Sequence, residues 1–163
     1  ARPSAPDDAC MPTRPGRAAA RRSGFDIVRT IPTRWMDNDH YGHVNNVSYY
    51  SYFDTAVNGW LMEGTGTDIR ELPAIGIVAE TRCRFLKELS FPDDVHAGLM
   101  LERLGNSSVV YRIGLFRGED EDPAAVGRFV HVYVDAVTRK VVPVPQAIRD
   151  LVSSLPSAPQ EAA

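Results

Sequence analysis

Apolar residues recur at helical spacing in one long stretch of the chain and alternate with polar residues in most of the rest. The helical stretch predicts a helix over residues 46–63, capped by Asn45 or Asn46 and ended by Gly64 or Gly66. Because apolar and aromatic side chains cover more than half of its circumference, we expect a sheet to wrap around it. The residues that carry the spacing are Val47, Tyr50, Phe53, Val57, Trp60 and Leu61.

Alternation of apolar and polar positions predicts about five strands, the first of them an edge or half-buried strand. They cover residues 25–36, 75–85, 95–101, 109–115 and 126–136, and in the last of them Val126, Val130, Val132 and Val134 share one face. Pro143 and Pro145 end the sheet, and Pro145 opens a short final helix reaching Leu155. One long helix enclosed by an antiparallel sheet of about five strands belongs to the α+β fold class.

Length and charge divide the chain into one domain with two tails. The 163 residues, 44% hydrophobic and 24% charged, fit a single globular domain. Residues 1–23 carry a net charge of +3 and no hydrophobic period, which leaves −6 for the remainder. We therefore expect a disordered N-terminal tail at 1–23, a domain at 24–156 and a C-terminal tail at 157–163. An acidic domain disfavours nucleic acid as a partner.

Cysteine content and hydropathy indicate a cytoplasmic protein. Cys10 and Cys83 form neither a disulfide framework nor a zinc-ligand pattern, and Cys83 falls within a predicted strand as a core residue. Residues 1–23 lack the apolar centre of a secretory signal. No apolar run approaches the roughly 20 residues that span a bilayer, so no membrane span is expected.

The densest group of reactive side chains, residues 37–46, lies directly before the long helix. A helix start presents unpaired N–H groups and partial positive charge, which can polarise a carbonyl oxygen. The Asp39 carboxylate could then act on that carbonyl as nucleophile or general base, with N–H groups around Asn46 as the oxyanion site. The alternative is that these Asp and Asn residues only cap the helix and form turns. His40 and His43 lack a third ligand at a diagnostic spacing, so no metal site is predicted.

The segment 34–46 resembles the opening of the hot-dog-fold acyl-CoA thioesterases. Its sequence is Arg-Trp-Met-Asp-Asn-Asp-His-Tyr-Gly-His-Val-Asn-Asn. The motif there is Asp-x-Asp-x-x-Gly-(His)-Val-x-Asn before an aromatic-rich helix, and the type is that of 4-hydroxybenzoyl-CoA thioesterase and its long-chain acyl-CoA relatives. Segments at 84–89, 93–95, 105–109, 132–135 and 143–145 resemble later strands and turns of that family. The similarity therefore spans about residues 25–155, in order.

The resemblance implies a hot-dog fold and a homodimer whose sheets join edge to edge, with active sites at the dimer interface. Such dimers often pair again into a tetramer. It implies that Asp39 is the catalytic carboxylate, that the Asn46 backbone N–H binds the thioester carbonyl, and that Asp37 is more structural than catalytic. The substrate would be an acyl-CoA, with no separate cofactor. The residues expected to bind that substrate are His43, Asn45, Tyr50, Arg84, Ser107 and Ser108.

The chain also departs from the family. Some members bind CoA phosphates with a basic cluster at the hairpin that here comprises residues 105–108, where Arg103 is the nearest basic side chain. Either other basic residues bind the phosphates, or CoA is held weakly, or the acyl donor is an acyl carrier protein. A non-catalytic acyl-CoA-binding protein is the main alternative function, and a hot-dog hydratase fits the Asp39/His43 spacing poorly. The basic candidates are Arg82, Arg84, Lys87, Arg139 and Lys140.

Overall fold

A computed structural model describes residues 21–159, so the predictions for residues 1–20 and 160–163 lie outside the described part of the chain. The described residues form a five-stranded sheet, a long helix and a short one, with 3₁₀ turns at Arg22–Gly24, Trp35–Asp37 and Ile69–Glu71. The main elements are β1 (Asp26–Pro32), α1 (Asn46–Thr65), β2 (Ala74–Phe85), β3 (Asp94–Leu104), β4 (Ser108–Arg117), β5 (Ala125–Asp135) and α2 (Gln146–Val152).

The sheet is antiparallel throughout, in the order β1-β3-β4-β5-β2. The strand β2 lies at one edge and pairs with β5 from Ala74–Asp135 to Phe85–Ala125, with a bulge between Val78 and Glu80. The strand β1 forms the other edge. One long helix against a five-stranded antiparallel sheet confirms the predicted α+β class and hot-dog architecture.

The helix α1 begins at the predicted residue, Asn46, and runs two residues past the predicted end at residue 63, to Thr65. Asn45 Oδ1 accepts a hydrogen bond from the Val47 N–H at 3.1 Å, and Gly66 ends the helix in the left-handed conformation with φ 63°. At Gly127 on β5, a side chain would collide with the Phe53 ring, so glycine allows the helix to lie close to the sheet. The buried face of the helix consists of Tyr49, Tyr52, Phe53, Ala56, Val57 and Leu61.

The face of β5 that meets the helix is not the valine face. Phe129, His131 and Tyr133 are almost fully buried on the same side as Gly127. Val126, Val130, Val132 and Val134 do share a face, as the alternation indicates, but the first three are only half-buried and Val134 alone of them is buried. The valine face of this strand is therefore the outer one. The face that packs under α1 carries Phe129, His131 and Tyr133.

The first strand is shorter than predicted. The predicted range, residues 25–36, was wrong at both ends. It begins at Asp26 and ends at Pro32, which has no N–H for the sheet. Beyond it the Asp37 carboxylate accepts a hydrogen bond from the Arg34 N–H at 2.9 Å. That local bond draws residues 35–37 into a 3₁₀ turn instead of a strand.

The fold extends slightly past the predicted domain boundaries of 24 and 156. The Arg22 N–H donates to the Glu121 carbonyl at 2.9 Å. Near the other end, Ala158 packs with Phe25, Met100 and Phe116, and its N–H donates to the Leu101 carbonyl at 2.8 Å. Within residues 21–159, no helix is long and apolar enough to cross a membrane.

Candidate active site

The Asp37 carboxylate anchors the loop that leads into α1. It is 1% exposed and accepts hydrogen bonds from the Arg34 side chain, at 2.7 and 2.9 Å, and from the Tyr52 hydroxyl at 2.8 Å. Burial alone would raise the pKa of this carboxyl, but the hydrogen bonds from Arg34 and Tyr52 hold it below its ordinary value. Asp37 is thus a buried structural anion, which agrees with the role that the family resemblance implies for it.

Residues 38–44 form a tight loop between this anchor and the helix. The Asp39 N–H donates to the His43 carbonyl at 2.8 Å, and the Gly42 N–H donates back to the Asp39 carbonyl at 3.1 Å. Gly42 has φ 85°, a conformation that favours glycine. The Val44 N–H donates to the Leu89 carbonyl at 2.7 Å, which ties the loop to the segment before β3. These bonds fix the backbone on both sides of Asp39.

The Asp39 side chain is half-buried and only partly engaged. Its Oδ1 accepts a hydrogen bond from the Tyr41 N–H at 2.8 Å, the geometry of an Asx turn. Within residues 21–159 its Oδ2 has no hydrogen-bond or ion-pair partner. One carboxylate oxygen therefore orients the side chain, and the other remains available to react or to accept a proton.

The N–H groups at the start of α1 are satisfied, with one exception in the first turn. The Asn45 N–H donates to the Asp37 carbonyl at 2.7 Å, that of Val47 to the Asn45 side chain at 3.1 Å, and that of Ser48 to the Asn45 carbonyl at 2.9 Å. The Asn46 N–H has no acceptor within residues 21–159. It lies at the positive end of a 20-residue helix, where an oxyanion is favoured.

The structure places most of the predicted site residues at this end of the sheet. His43 Nε2 lies 2.9 Å from Glu88 Oε2, and Tyr50 is half-buried with its ring 5.9 Å from that of Phe53. Arg84 lies near the end of β2, is exposed, and has no ion-pair partner within residues 21–159. His43 and Tyr50, together with Asp39, Asn45 and Asn46, lie around the start of α1, whereas Arg84 lies on the outer face of the sheet beside Val126.

Ser107 and Ser108 lie at the opposite end of the same sheet. They belong to the β3–β4 hairpin, and the Ser107 carbonyl accepts a hydrogen bond from the Tyr133 N–H at 2.8 Å. The loop of Asp39 instead contacts the segment just before β3, through Ser90 and the Gly42 carbonyl. Since β3 has 11 residues, its two ends lie roughly 30 Å apart. One protomer therefore does not bring these serines to Asp39.

The basic residues considered for phosphate binding differ in how they are paired. Arg82 forms an ion pair with Glu80 at 3.0 Å, and Lys87 lies 3.9 Å from Asp120. Arg139 and Lys140 are exposed near the end of β5, far along the sheet from Asp39. Arg84 is unpaired within residues 21–159, but it pairs across the sheet with Val126, so its side chain lies on the outer face, opposite α1.

Cys83 and the histidines do not form a reactive or metal-binding group. Burial raises the pKa of the Cys83 thiol to about 11, which fits the predicted core role. Within the described residues, no three His, Cys, Asp or Glu side chains are grouped so as to hold a metal ion.

Two features of the surface and interior were not predicted from the sequence. Exposed apolar side chains surround the helix start, among them Trp35 at 82% and Tyr41 at 87% exposure. A cavity lies elsewhere, under the second half of α1, and includes His131 but none of the predicted site residues. Its signal in the sequence is the alternation Phe129-His131-Tyr133, an aromatic face opposite the valines.

One long helix packed against a five-stranded antiparallel sheet is the hot-dog fold that thioesterases share. Residues 33–152 match the sequence profile of the Thioesterase-like superfamily, and the chain belongs to that family. No curated protein sequence matches the chain.

Solved structures show the same fold. The PA5185 protein of Pseudomonas aeruginosa PAO1 is 44% identical, with a TM-score of 0.82, over 86% of this chain and 98% of that one. The PA2801 protein of Pseudomonas aeruginosa, a candidate thioesterase, is 34% identical, with a TM-score of 0.71, over 76% and 95%. A thioesterase of Thermus thermophilus, solved with coenzyme A and zinc, is 26% identical, with a TM-score of 0.68, over 80% and 94%.

Proposed function

We propose that this chain hydrolyses acyl-CoA thioesters, with Asp39 as the catalytic carboxylate and the Asn46 N–H as the oxyanion donor. The observation that carries the proposal is the Asn46 N–H. Its neighbours at 45, 47 and 48 all have acceptors, and it alone of these four has none within residues 21–159. The free Oδ2 of Asp39, on the loop that leads into the same helix, supplies the second group that the reaction needs.

Thioester hydrolysis requires few further groups from the protein. Hydrolysis forms a C–O bond from water and breaks the C–S bond, and the departing thiolate takes up a proton to give free CoA. Because a thiol has a pKa near 8.5, the thiolate leaves readily and no catalytic triad is required. Asp39 either attacks the carbonyl directly, giving a mixed anhydride that water then cleaves to free acid and the Asp39 carboxylate, or removes a proton from the attacking water. In both routes the negative charge on the carbonyl oxygen is stabilised by the Asn46 N–H.

Support for a CoA thioester comes from relatives. The Thermus thermophilus protein was solved with coenzyme A, and its fold is similar over 80% of this chain. Arg84, exposed and without an ion-pair partner within residues 21–159, lies on the outer face near the end of β2 and is our candidate for a CoA phosphate that reaches that face. No further cofactor enters the proposal.

We further propose that the site is completed in a homodimer joined along β2. This edge strand has 12 residues and exposes Ile77, Val78 and Phe85 beside a free row of backbone groups. Such edges pair readily with another strand. If two copies pair antiparallel about a twofold axis, the start of one β2 lies opposite the end of the other.

That pairing also accounts for the serines at the far end of the sheet. Ser107 binds the backbone of Tyr133, and Tyr133 is the β5 partner of Gly76 near the start of β2. In the proposed dimer this end of one protomer faces the partner's Arg84 and helix start. Ser107 and Ser108 then contribute to the partner's active site and not to their own.

The test is hydrolysis of a panel of acyl-CoAs, aliphatic and aromatic, followed with a thiol-reactive dye. Asp39→Asn keeps an acceptor for the Tyr41 N–H and is expected to lose nearly all activity while keeping its fold. Asp150→Asn, a matched change on the exposed face of α2, is expected to remain active. Acyl-CoA binding without release of thiol by the unaltered protein would instead identify a binding protein in which the Asp39 turn is only structural.

A further inference from the structure

The carbonyl of Gly42 accepts hydrogen bonds from two side chains that come from different segments of the chain. Ser90 Oγ donates to it from the connection between β2 and β3, and Asn38 Nδ2 donates to it at 3.3 Å from the loop before α1. A carbonyl oxygen has two lone pairs, so it can accept both donors at once. We call this carbonyl and its two donors the Gly42 clamp.

Gly42 closes the turn that carries Asp39. The Gly42 N–H donates to the Asp39 carbonyl at 3.1 Å, and the Asp39 N–H donates to the carbonyl of the next residue, His43, at 2.8 Å. The clamped carbonyl belongs to the peptide unit between Gly42 and His43. Any contact that holds this peptide therefore also holds the Asp39 turn.

Asn38 ties the turn to the same connection through its other side-chain atom. Its Oδ1 accepts a hydrogen bond from the Phe91 N–H at 3.0 Å. At the far side of the loop, the Val44 N–H donates to the Leu89 carbonyl at 2.7 Å. The loop is thus fastened on both sides of Asp39 to residues 89–91.

The connection that receives these bonds is itself held in place. The Leu89 side chain is fully buried, and the Ser90 N–H donates to Asp93 Oδ2 at 2.9 Å. The Asp93 N–H donates back to the Ser90 carbonyl at 2.8 Å, and the Asp93 carbonyl accepts the Thr33 N–H at 3.1 Å. These contacts fix the clamp to the core and to the chain just beyond β1.

The Asp39 carboxylate needs such an external constraint. The hydrogen bond that orients it comes from the Tyr41 N–H, which lies inside the same turn. That bond sets the carboxylate relative to the turn but not the turn relative to α1, whose start is anchored through the Asp37 carbonyl. A misplacement of about 1 Å in a catalytic group costs on the order of 10²-fold in rate. The Gly42 clamp supplies the missing constraint.

We propose that Ser90 and Asn38 are positioning residues, which hold the Asp39 carboxylate in register with the start of α1 by fixing the Gly42 carbonyl between them. The inference rests on the proposed catalytic role of Asp39 and adds the residues through which that role is maintained. Because the clamp acts on the reacting carboxylate, its loss is expected to lower kcat and to leave KM within about twofold of the unaltered value.

The experiment is steady-state hydrolysis of the best acyl-CoA of the panel by the full-length protein. Ser90→Ala is expected to lower kcat about tenfold, and Ser90→Thr, which keeps the hydroxyl, to restore it to within about threefold. The matched control is Ser153→Ala, which removes a hydroxyl that donates to the Arg149 carbonyl at 2.7 Å near the end of α2. It is expected to leave both kcat and KM unchanged.

Amide hydrogen exchange reads the clamp without turnover. The Gly42 N–H is expected to exchange about tenfold faster in Ser90→Ala and in Asn38→Ala, because the turn opens more often in both variants. Asn38→Ala is also expected to lower kcat, since it removes the other donor to the same carbonyl. If one of the two variants fails to fold, the other tests the same carbonyl from the opposite side.

The outcomes separate this inference from the proposed function. If Asp39→Asn is inactive while Ser90→Ala and Asn38→Ala keep full kcat, the positioning role is overturned and the proposed function stands. Faster exchange with unchanged kcat overturns it as well, as does an equal loss in Ser90→Ala and Ser90→Thr. Full activity in Asp39→Asn would overturn both the proposed function and the positioning role.

Discussion

The hydroxyl of Tyr52, on the buried face of α1, donates a hydrogen bond to Asp37 Oδ2 at 2.8 Å. This contact joins the second turn of the helix to the loop that precedes it. The Asp37 carbonyl in turn accepts the Asn45 N–H, which sets the helix N-cap. The position of the Asn46 N–H therefore depends on a buried carboxylate that the proposed reaction does not use.

Removing the Tyr52 hydroxyl tests this anchor. Tyr52→Phe leaves a buried, charged carboxylate with one hydrogen bond fewer, and we expect it to lower the free energy of unfolding in urea by about 1.5–3 kcal/mol. Tyr50→Phe is the matched control on the same helix, since the Tyr50 hydroxyl has no hydrogen-bond partner within residues 21–159. It is expected to change stability by less than about 0.5 kcal/mol. Equal effects of the two changes would show that the Asp37 contact is unimportant.

The same anchor predicts a pH dependence. Because the pKa of Asp37 is lower in the folded protein than its ordinary value of 3.8, its charged form stabilises the fold. That stabilisation is complete above about pH 4 and is lost as the pH falls through the folded value. The difference in unfolding free energy between the unaltered protein and Asp37→Asn should therefore shrink below about pH 4. A difference that grows on acidification would mean that the folded-state pKa is raised.

Much of this arrangement could be predicted from the sequence because local chemistry determines it. The helix from Asn46 follows from apolar spacing, the Asn45 cap and the glycine at residue 66. The end of β1 could not be predicted, because it depends on a carboxylate that bends the chain at Arg34. The inner face of β5 could not be predicted from the sequence for another reason. The valines of this strand lie on its outer face, and only the packing of Phe53 on Gly127 shows which face meets the helix.

The proposed dimer predicts a specific effect at the β2 edge. Val78 is 45% exposed on this strand, and a charge there would be buried between two copies without a partner. Val78→Asp is expected to convert dimer to monomer, as measured by light scattering after gel filtration, and to reduce hydrolysis at the same time. Val137→Asp, at an 89% exposed position beyond the end of β5, is the control and is expected to leave the dimer intact. A dimer that survives Val78→Asp would place the interface elsewhere.

Cys83 is expected to be unreactive in the folded protein. With its pKa raised to about 11, the thiolate fraction at pH 8 falls about a hundredfold below that of a thiol at its ordinary value of 9.0. In a Cys10→Ser variant, which leaves Cys83 as the remaining thiol, Ellman's reagent should react slowly until denaturant is added. Rapid reaction of the folded variant would indicate that β2 opens or that Cys83 faces solvent.

The most direct test concerns a single backbone N–H. Residue 46 is the first residue of α1, where proline is well tolerated, and Asn45 already has φ −59° and ψ 140°, which a following proline permits. Asn46→Pro therefore removes the proposed oxyanion donor and preserves the helix, whereas Asn46→Ala keeps the donor and removes only the side chain. We predict that kcat for acyl-CoA hydrolysis falls by about 10²- to 10³-fold in Asn46→Pro and changes little in Asn46→Ala. Full activity in a folded Asn46→Pro variant would show that this N–H does not stabilise the transition state.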